Sequence, residues 1–224
     1  MILRMYNCDH ATIDLRENVA VLELERYEIF NKVLQDFIDP VFPARELAVD
    51  DGKDLLGRNS FICISDFFDL SLSGKTLLGK LYKFIDSTVF SNPEERLNLE
   101  NLISQIKKYF LSVLQCLNTD IDVSPDVDVK DVCALIGLTP FCETDSIAAK
   151  LEQYITLCAE LKLCRVLVLV QAKAYLSCEE LETIYRNALR NRMGLILVES
   201  THKERKLFAE KKILIDKEYS DIIL

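Results

Sequence analysis

LCRVLVLVQAKAYLSCEELETIYRNALRNRMGLILVE, residues 163–199, decides the fold class. Its first part, RVLVLV at 165–170, is a run of Val and Leu that does not alternate with polar residues. That is the pattern of a strand buried on both faces of a parallel sheet, and the run is too short for a core helix. Ser177, Glu179 and Glu180 then open a helix as a capping box: the Ser177 hydroxyl accepts the backbone N–H of Glu180, and the Glu180 carboxylate reaches back to the N–H of Ser177. The spacing predicts a helix to about Arg190. Gly194 starts a second apolar run at 195–198, and a strand joined through a helix to a parallel neighbour crosses over right-handed. An α/β sheet follows from this unit, although a function does not.

Upstream, residues 2–6 and 19–24 (VAVLEL) read as strands, the second leading into a helical pattern over 25–37 that Pro40 and Pro43 end. Residues 44–59, with Asp50, Asp51 and Gly52, read as a surface excursion. FICIS at 61–65 is another short buried strand, followed by Asp66, Asp69 and SLSGKT at 71–76, where a helix begins. From Lys75 the character changes. Leu77, Leu78, Leu81, Phe84 and Ile85 recur at helical spacing, and Asn92 with Pro93 restarts a helix as N-cap and first helical residue. That second helix carries a long stripe of Leu99, Leu102, Ile103, Ile106, Phe110, Val113, Leu114 and Leu117. Two successive helices without a strand between them break the alternation and mark an α-helical lobe inserted into the α/β domain. Residues 120–128 close the lobe as an acidic loop, 129–136 form a short helix ended by Gly137, and Asp145 or Ser146 caps a helix to about Leu161. After Glu199 a polar segment, 201–206, leads to a last strand at 212–215. The expected division is a head of residues 1–76 and 139–224 and a lobe of residues 77–138.

The 224 residues, half of them hydrophobic, suffice for a full core. No apolar run approaches the ~20 residues of a membrane-spanning helix, and the N-terminus lacks the pattern of a signal peptide, so a cytoplasmic protein without membrane partners is expected. Eight cysteines include no CxxC pair and several sit in apolar runs, which favours buried free thiols over zinc or disulfides. A net charge of -9 argues against non-specific nucleic-acid binding over the whole surface. Any DNA site must then be a segregated patch.

SGKT at 73–76 invites a phosphate-loop reading that its context defeats. A phosphate loop needs a glycine five residues before Gly74, and Asp69 stands there, placing negative charge where phosphates would lie. His10 and His202 are the only histidines and show no partner at metal or triad spacing, which reads as two surface residues. GxSxG and HExxH are absent, and no enzyme is expected. Asp120, Asp122, Ser124, Asp126, Asp128 and Asp131 form the most informative polar cluster. Alternating carboxylates can converge on a hard cation, but Pro125 replaces the turn glycine of an EF-hand and Asp131 its final glutamate. On spacing alone, a solvated turn stands slightly ahead of a cation site. Lys75, Lys80 and Lys83 on the first lobe helix, with Lys107 and Lys108 on the second, are a solvated face unless copies assemble around a common axis.

The string from 131 to 199, with ALIGL at 134–138, ETDSIAAKLEQYITL at 143–157, RVLVLV, AYLSCEEL at 174–181 and LILVE at 195–199, resembles the CRISPR-associated ring-forming DNA-end-binding proteins of type II-A adaptation modules. VAVLEL, the FICISDFFDLSLSGKTLLGKLYKFID run at 61–86 and the acidic loop follow the same order upstream. The resemblance implies an α/β head, mainly a parallel sheet with a remote likeness to nucleotide-binding sheets and no working phosphate loop, and an inserted α-helical leg. It also implies a homotetrameric ring with a basic lumen around double-stranded DNA, loaded from free ends. It implies calcium in the acidic region, where Asp120, Asp122, Asp126 and Asp128 fall, and a role in spacer acquisition beside the CRISPR integrase and the RNA-guided effector nuclease, without catalysis. Lumen lysines can meet phosphates while an acidic exterior faces water, which reconciles DNA binding with the net charge. The alternatives are a nucleotide-binding or hydrolysing α/β protein with Lys75 and Thr76 at the phosphates, and a protein-interaction scaffold.

Overall fold

A computed structural model describes residues 1–6, 12–38, 47–114, 127–216 and 221–223, the last three in backbone only. In chain order the elements are β1 (Ile2–Met5), β2 (Thr12–Asp14), β3 (Val19–Leu24), α1 (Tyr27–Ile38), β4 (Leu47–Asp50), β5 (Phe61–Ile64), α2 (Lys75–Ser91), α3 (Pro93–Leu114) and α4 (Val129–Leu135). Then come α5 (Ile147–Glu160), β6 (Val166–Val170), α6 (Ala172–Tyr175), α7 (Cys178–Arg190), β7 (Gly194–Glu199), β8 (Glu210–Ile215) and β9 (Asp221–Ile223). They fall into two compact units, residues 1–72 with 142–224, and residues 73–141. The sequence reading puts its boundaries at 76/77 and 138/139.

The first unit is built on a six-stranded sheet in the order β5-β6-β7-β3-β8-β9. Its first five strands are parallel and β9 closes the edge antiparallel to β8. β3, β6 and β7 are buried along their whole length, as expected of Val- and Leu-rich strands covered on both faces. Their alternate residues serve two different cores. Val19, Val21, Leu167, Leu169, Leu195 and Leu197 face α5 and α7, packing on Leu151, Ile155, Ile184 and Tyr185. Ala20, Leu22, Val166, Val168, Ile196 and Val198 face the opposite way, onto Val33 and Phe37 of α1. Asn187 of α7 donates to the Glu152 carbonyl of α5 at 2.9 Å, tying the two covering helices together. The capping box is present: the N–H of Ser177 meets Glu180 Oε2 at 2.8 Å, and the N–H of Glu180 meets Ser177 Oγ at 3.3 Å.

The strand expected at residues 2–6 is β1, the centre of a small antiparallel sheet, β2-β1-β4, whose Leu3, Ile13 and Val49 cap the α1-side core. The structure departs from the sequence reading in three places. Residues 44–59 are not all surface excursion, because Leu47–Asp50 is a fully buried strand. Three apolar residues flanked by polar ones are too few to show periodicity, and their partner lies more than forty positions away. β9 and the single-turn α6 are equally short and local sequence gives them no signal. His202 is not a surface residue: it is half-buried, with Nδ1 2.6 Å from Glu23 Oε2. Pro40, Pro43 and His10 lie outside the described residues.

Gly194 opens β7 at a close approach. A Cβ there would stand 3.1 Å from Val166 Cγ2 and 3.2 Å from Met1 Cε, which only a bare backbone avoids.

In the second unit, α2 packs against α3 and α4 through Tyr82, Val129 and Cys133, with Leu78, Leu81, Ile85, Leu99 and Leu138 around them. The Tyr82 hydroxyl donates to the Leu138 carbonyl at 3.1 Å. α3 starts where Asn92 and Pro93 predict, with Asn92 Oδ1 accepting the N–H of Glu94 at 3.1 Å. Gly137 takes φ 66 beyond the C-terminus of α4, and the N–H of Leu138 returns to the Cys133 carbonyl at 3.0 Å.

Candidate functional site

The lysines singled out by sequence all lie on α2 and α3. Lys75, Lys80, Lys83 and Lys108 are exposed, and Lys107 is half-buried. Lys80 and Lys83, three apart, share one face of α2. Lys107 lines a cavity of about 520 Å³ in the helical unit together with Arg96, Glu100 and Asp128. Arg96 holds Glu100 at 2.9 Å one helical turn away. The structure thus brings one candidate DNA-binding lysine and one candidate calcium ligand to the same cavity wall.

Asp128 is exposed and stands at the N-cap of α4 without capping it through its side chain. Asp120, Asp122 and Asp126 lie outside the described residues. Among the described residues no three His, Cys, Asp or Glu side chains converge on one point. The donors the sequence offers for a cation are all carboxylate oxygens, the ligand type that calcium takes.

α3 carries the second feature of this unit. Among the described residues it has no fully buried side chain, and Leu97, Leu102, Ile106, Tyr109, Phe110 and Val113 are each at least half exposed. The apolar stripe predicted from the spacing exists, but most of it faces away from the unit's own core. Exposed apolar side chains scattered singly are ordinary on a protein surface, but six on one helix are not.

Near the carboxyl ends of β3 and β7, where open α/β sheets usually take ligands, the structure places charges that sequence reasoning missed, and they form one cluster with Glu210 at the start of β8. The residues facing α5 and α7 should be apolar along every strand, but β3 contributes Glu23, and β8 contributes Glu210 and Lys212. Lys212 Nζ lies 3.2 Å from Glu23 Oε1 and donates to the carbonyls of Lys203 and Arg205. Lys173 Nζ, from α6, lies 2.9 Å from Glu210 Oε1 and 3.6 Å from Glu23 Oε1. These approaches are close, yet Lys173 Nζ and Glu23 Oε1 have no aligned hydrogen bond. Tyr185 donates to Glu210 Oε1 at 2.8 Å, and its hydroxyl is pushed far above the ordinary phenol range by burial and by the carboxylate. Glu199, paired in register with Glu23, accepts the N–H of Lys173 at 3.0 Å; burial raises its carboxyl to about 6 despite that bond. The signal for Lys212 is the period-two pattern of EKKILI, in which Lys211 faces out and Lys212 in.

The β3–α1 connection has no room for a phosphate loop. β3 ends at Leu24 and α1 begins at Tyr27, so two residues, Glu25 and Arg26, make the connection. A phosphate loop wraps its anion with about eight residues. Gly74 of the SGKT segment instead precedes the first turn of α2 with φ -59 and ψ 140, a conformation open to any residue.

Of the eight cysteines, Cys133, Cys158 and Cys164 are buried free thiols, and Cys63, Cys142 and Cys178 are half-buried ones. Cys8 and Cys116 lie outside the described residues. No described helix is long and apolar enough to cross a membrane.

Residues 44–219 match the family model for CRISPR-associated protein (Cas_Csn2). The chain is 19% identical over 203 residues to the CRISPR-associated protein Csn2 of Streptococcus agalactiae, covering 90% of this chain and 89% of that one. Its fold is similar to the crystal structure of Stu0660 of Streptococcus thermophilus, with a TM-score of 0.57 and 14% identity over 100% of this chain and 76% of that one.

Proposed function

We propose a function from one premise: the chain belongs to the Cas_Csn2 family of CRISPR-associated proteins. On that premise it is a non-enzymatic double-stranded DNA-binding protein of type II-A CRISPR adaptation. It closes into a homotetrameric ring, loads onto linear duplex from free ends, and serves spacer acquisition beside the CRISPR integrase and the RNA-guided effector nuclease. The family match across residues 44–219 carries this reading.

Two features of the described residues and one of the sequence support it. The exposed apolar side chains of α3 suit burial against another copy. The candidate lysines of α2 and α3 lie within one unit, so a DNA contact there would involve only part of a chain of net charge -9. Calcium held by Asp120, Asp122, Asp126 and Asp128 would neutralise carboxylates that otherwise repel phosphates. Asp69, standing where a phosphate loop needs its first glycine, weighs against the nucleotide-hydrolysing alternative at Lys75 and Thr76.

Light scattering should give the mass of a tetramer. In calcium the protein should retain linear duplex, lose it steeply with added salt, and release it to chelator. Replacing Lys75, Lys80, Lys83, Lys107 and Lys108 by Ala should lower affinity across all sequences. The same replacement should flatten the salt dependence, by about one for every phosphate that no longer meets a lysine. Equal retention of covalently closed circles and linear DNA would sink the threading reading.

A further inference from the structure

The opposite, amino-terminal edge of the parallel sheet holds a cavity of about 910 Å³. We propose that it is an anion site that takes a phosphate-type oxyanion, held by Lys162, Arg192, Arg165 and Arg16. The site is independent of the ring reading, since every residue in it belongs to the α/β unit.

Charge segregation is the first observation. In a chain carrying nine excess negative charges, the described lining of this cavity includes four cationic side chains and no Asp or Glu. Its volume lies within the range of small-ligand pockets, roughly 300–1,000 Å³.

The second is backbone conformation. α5 and α7 both end at the cavity in the same motif. The N–H of Lys162 returns to the Ala159 carbonyl at 3.2 Å and that of Leu163 to Cys158 at 2.8 Å; the N–H of Arg192 returns to Leu189 at 3.0 Å and that of Met193 to Ala188 at 2.9 Å. The motif needs a left-handed residue just past the helix, and glycine is the usual occupant because it has no Cβ to strain. Here the positions are Lys162 at φ 50 and Arg192 at φ 55. Twice, on separate helices facing one cavity, a long cation occupies a glycine position. Cations near helix C-termini also complement the helix dipole, but Arg190 in the last turn of α7 already does so without strain.

The third is the placement of the two remaining arginines, which belong to no helix. Asp51 fixes both: its carboxylate accepts from Arg165 Nη1 at 3.0 Å, and its carbonyl from Arg16 Nη2 at 3.4 Å. A planar guanidinium held in this way presents its remaining N–H groups as a fork suited to phosphate oxygens.

The test titrates the full-length protein with inorganic pyrophosphate and follows the methyl resonance of Met193, which lines the cavity. Saturable shifts are expected. The double variant Lys162→Gly, Arg192→Gly should weaken binding at least about tenfold, because each side chain removed takes with it a hydrogen bond to a charged group. Its melting temperature should equal or exceed the parent's, because glycine is at ease in both positions. A purely structural role predicts a titration unchanged by the substitutions, and that result, or no saturable shift in the parent, overturns the site. A 5′-phosphorylated duplex that displaces pyrophosphate, where the 5′-hydroxyl duplex does not, identifies a nucleic-acid terminal phosphate as the source. Failure of both duplexes to displace it identifies a free phosphorylated small molecule, and either result supports the site.

Discussion

In the α/β unit, Glu23, Lys173, Glu210 and Lys212 lie inside the protein, surrounded by strands and helices. In the helical unit, Leu102, Ile106 and Phe110 face outward from a helix with no fully buried described residue. Each unit inverts the usual partition of polar and apolar side chains, and the two inversions differ in kind. The buried charges have ion-pair partners within the same unit, at 2.9 to 3.9 Å, although Lys173 Nζ and Glu23 Oε1 lack an aligned hydrogen bond. The outward apolar stripe is not covered in this way by α3's own unit. One region is finished by folding, and the other is the surface on which the proposed assembly relies.

The sharpest way to break this comparison is to unbalance the buried charges. Glu23→Ala leaves two buried ammonium groups to share Glu210. Removing one partner from a buried ionic group costs about 3–5 kcal/mol, to be read in urea unfolding of the parent and the variant. A loss under about 1 kcal/mol, the level of exposed pairs, would mean that the cluster is solvated in solution.

A smaller effect comes from Glu199. Its carboxyl titrates at about 6 in the folded protein against an ordinary 4.5. Below the lower value both folded and unfolded chains are protonated and no penalty exists. As pH rises through this window the unfolded chain ionises first, so stability falls, by about 2 kcal/mol once above the folded value. Glu199→Gln retains an acceptor for the Lys173 N–H and removes the titration. The melting temperature of the variant should therefore lose the decline that the parent shows between about pH 4.5 and 6.5.

The smallest effect on folding is expected on the outward stripe. Ile106→Asp with Phe110→Asp should change unfolding of the isolated chain by no more than about 0.5 kcal/mol, as for exposed positions generally. Their effect should appear in assembly, where sedimentation is expected to show the double variant shifted to smaller species. Unchanged sedimentation would place the assembly surface elsewhere.

What the sequence discloses follows the range of the interactions involved. The capping box of α7, the Asn92–Pro93 start of α3 and the Gly137 stop of α4 are set within a few neighbouring residues, and each stands where the local pattern puts it. Strands β3, β6 and β7 are equally plain, because burial on both faces leaves unbroken apolar runs. The β2-β1-β4 sheet is not plain, since β4 has four residues and its pairing with β1 spans more than forty positions. Lys212 and Glu210 resemble surface residues until β8 is set beside β3, whose register turns them inward. His202 reads as exposed because its partner, Glu23, lies 179 positions away in the sequence. Among the site residues, the lysines of α2 and α3 could be assigned to helices from periodicity, but no periodicity reports which of them share a cavity with Asp128.

The two-residue join between β3 and α1 also bears on engineering. A protein designer wishing to build a phosphate loop after β3 could not do so by exchanging side chains, however many were changed. Backbone would have to be inserted between Leu24 and Tyr27, and the new loop would emerge beside Glu23, whose carboxylate is already committed to Lys212 and His202.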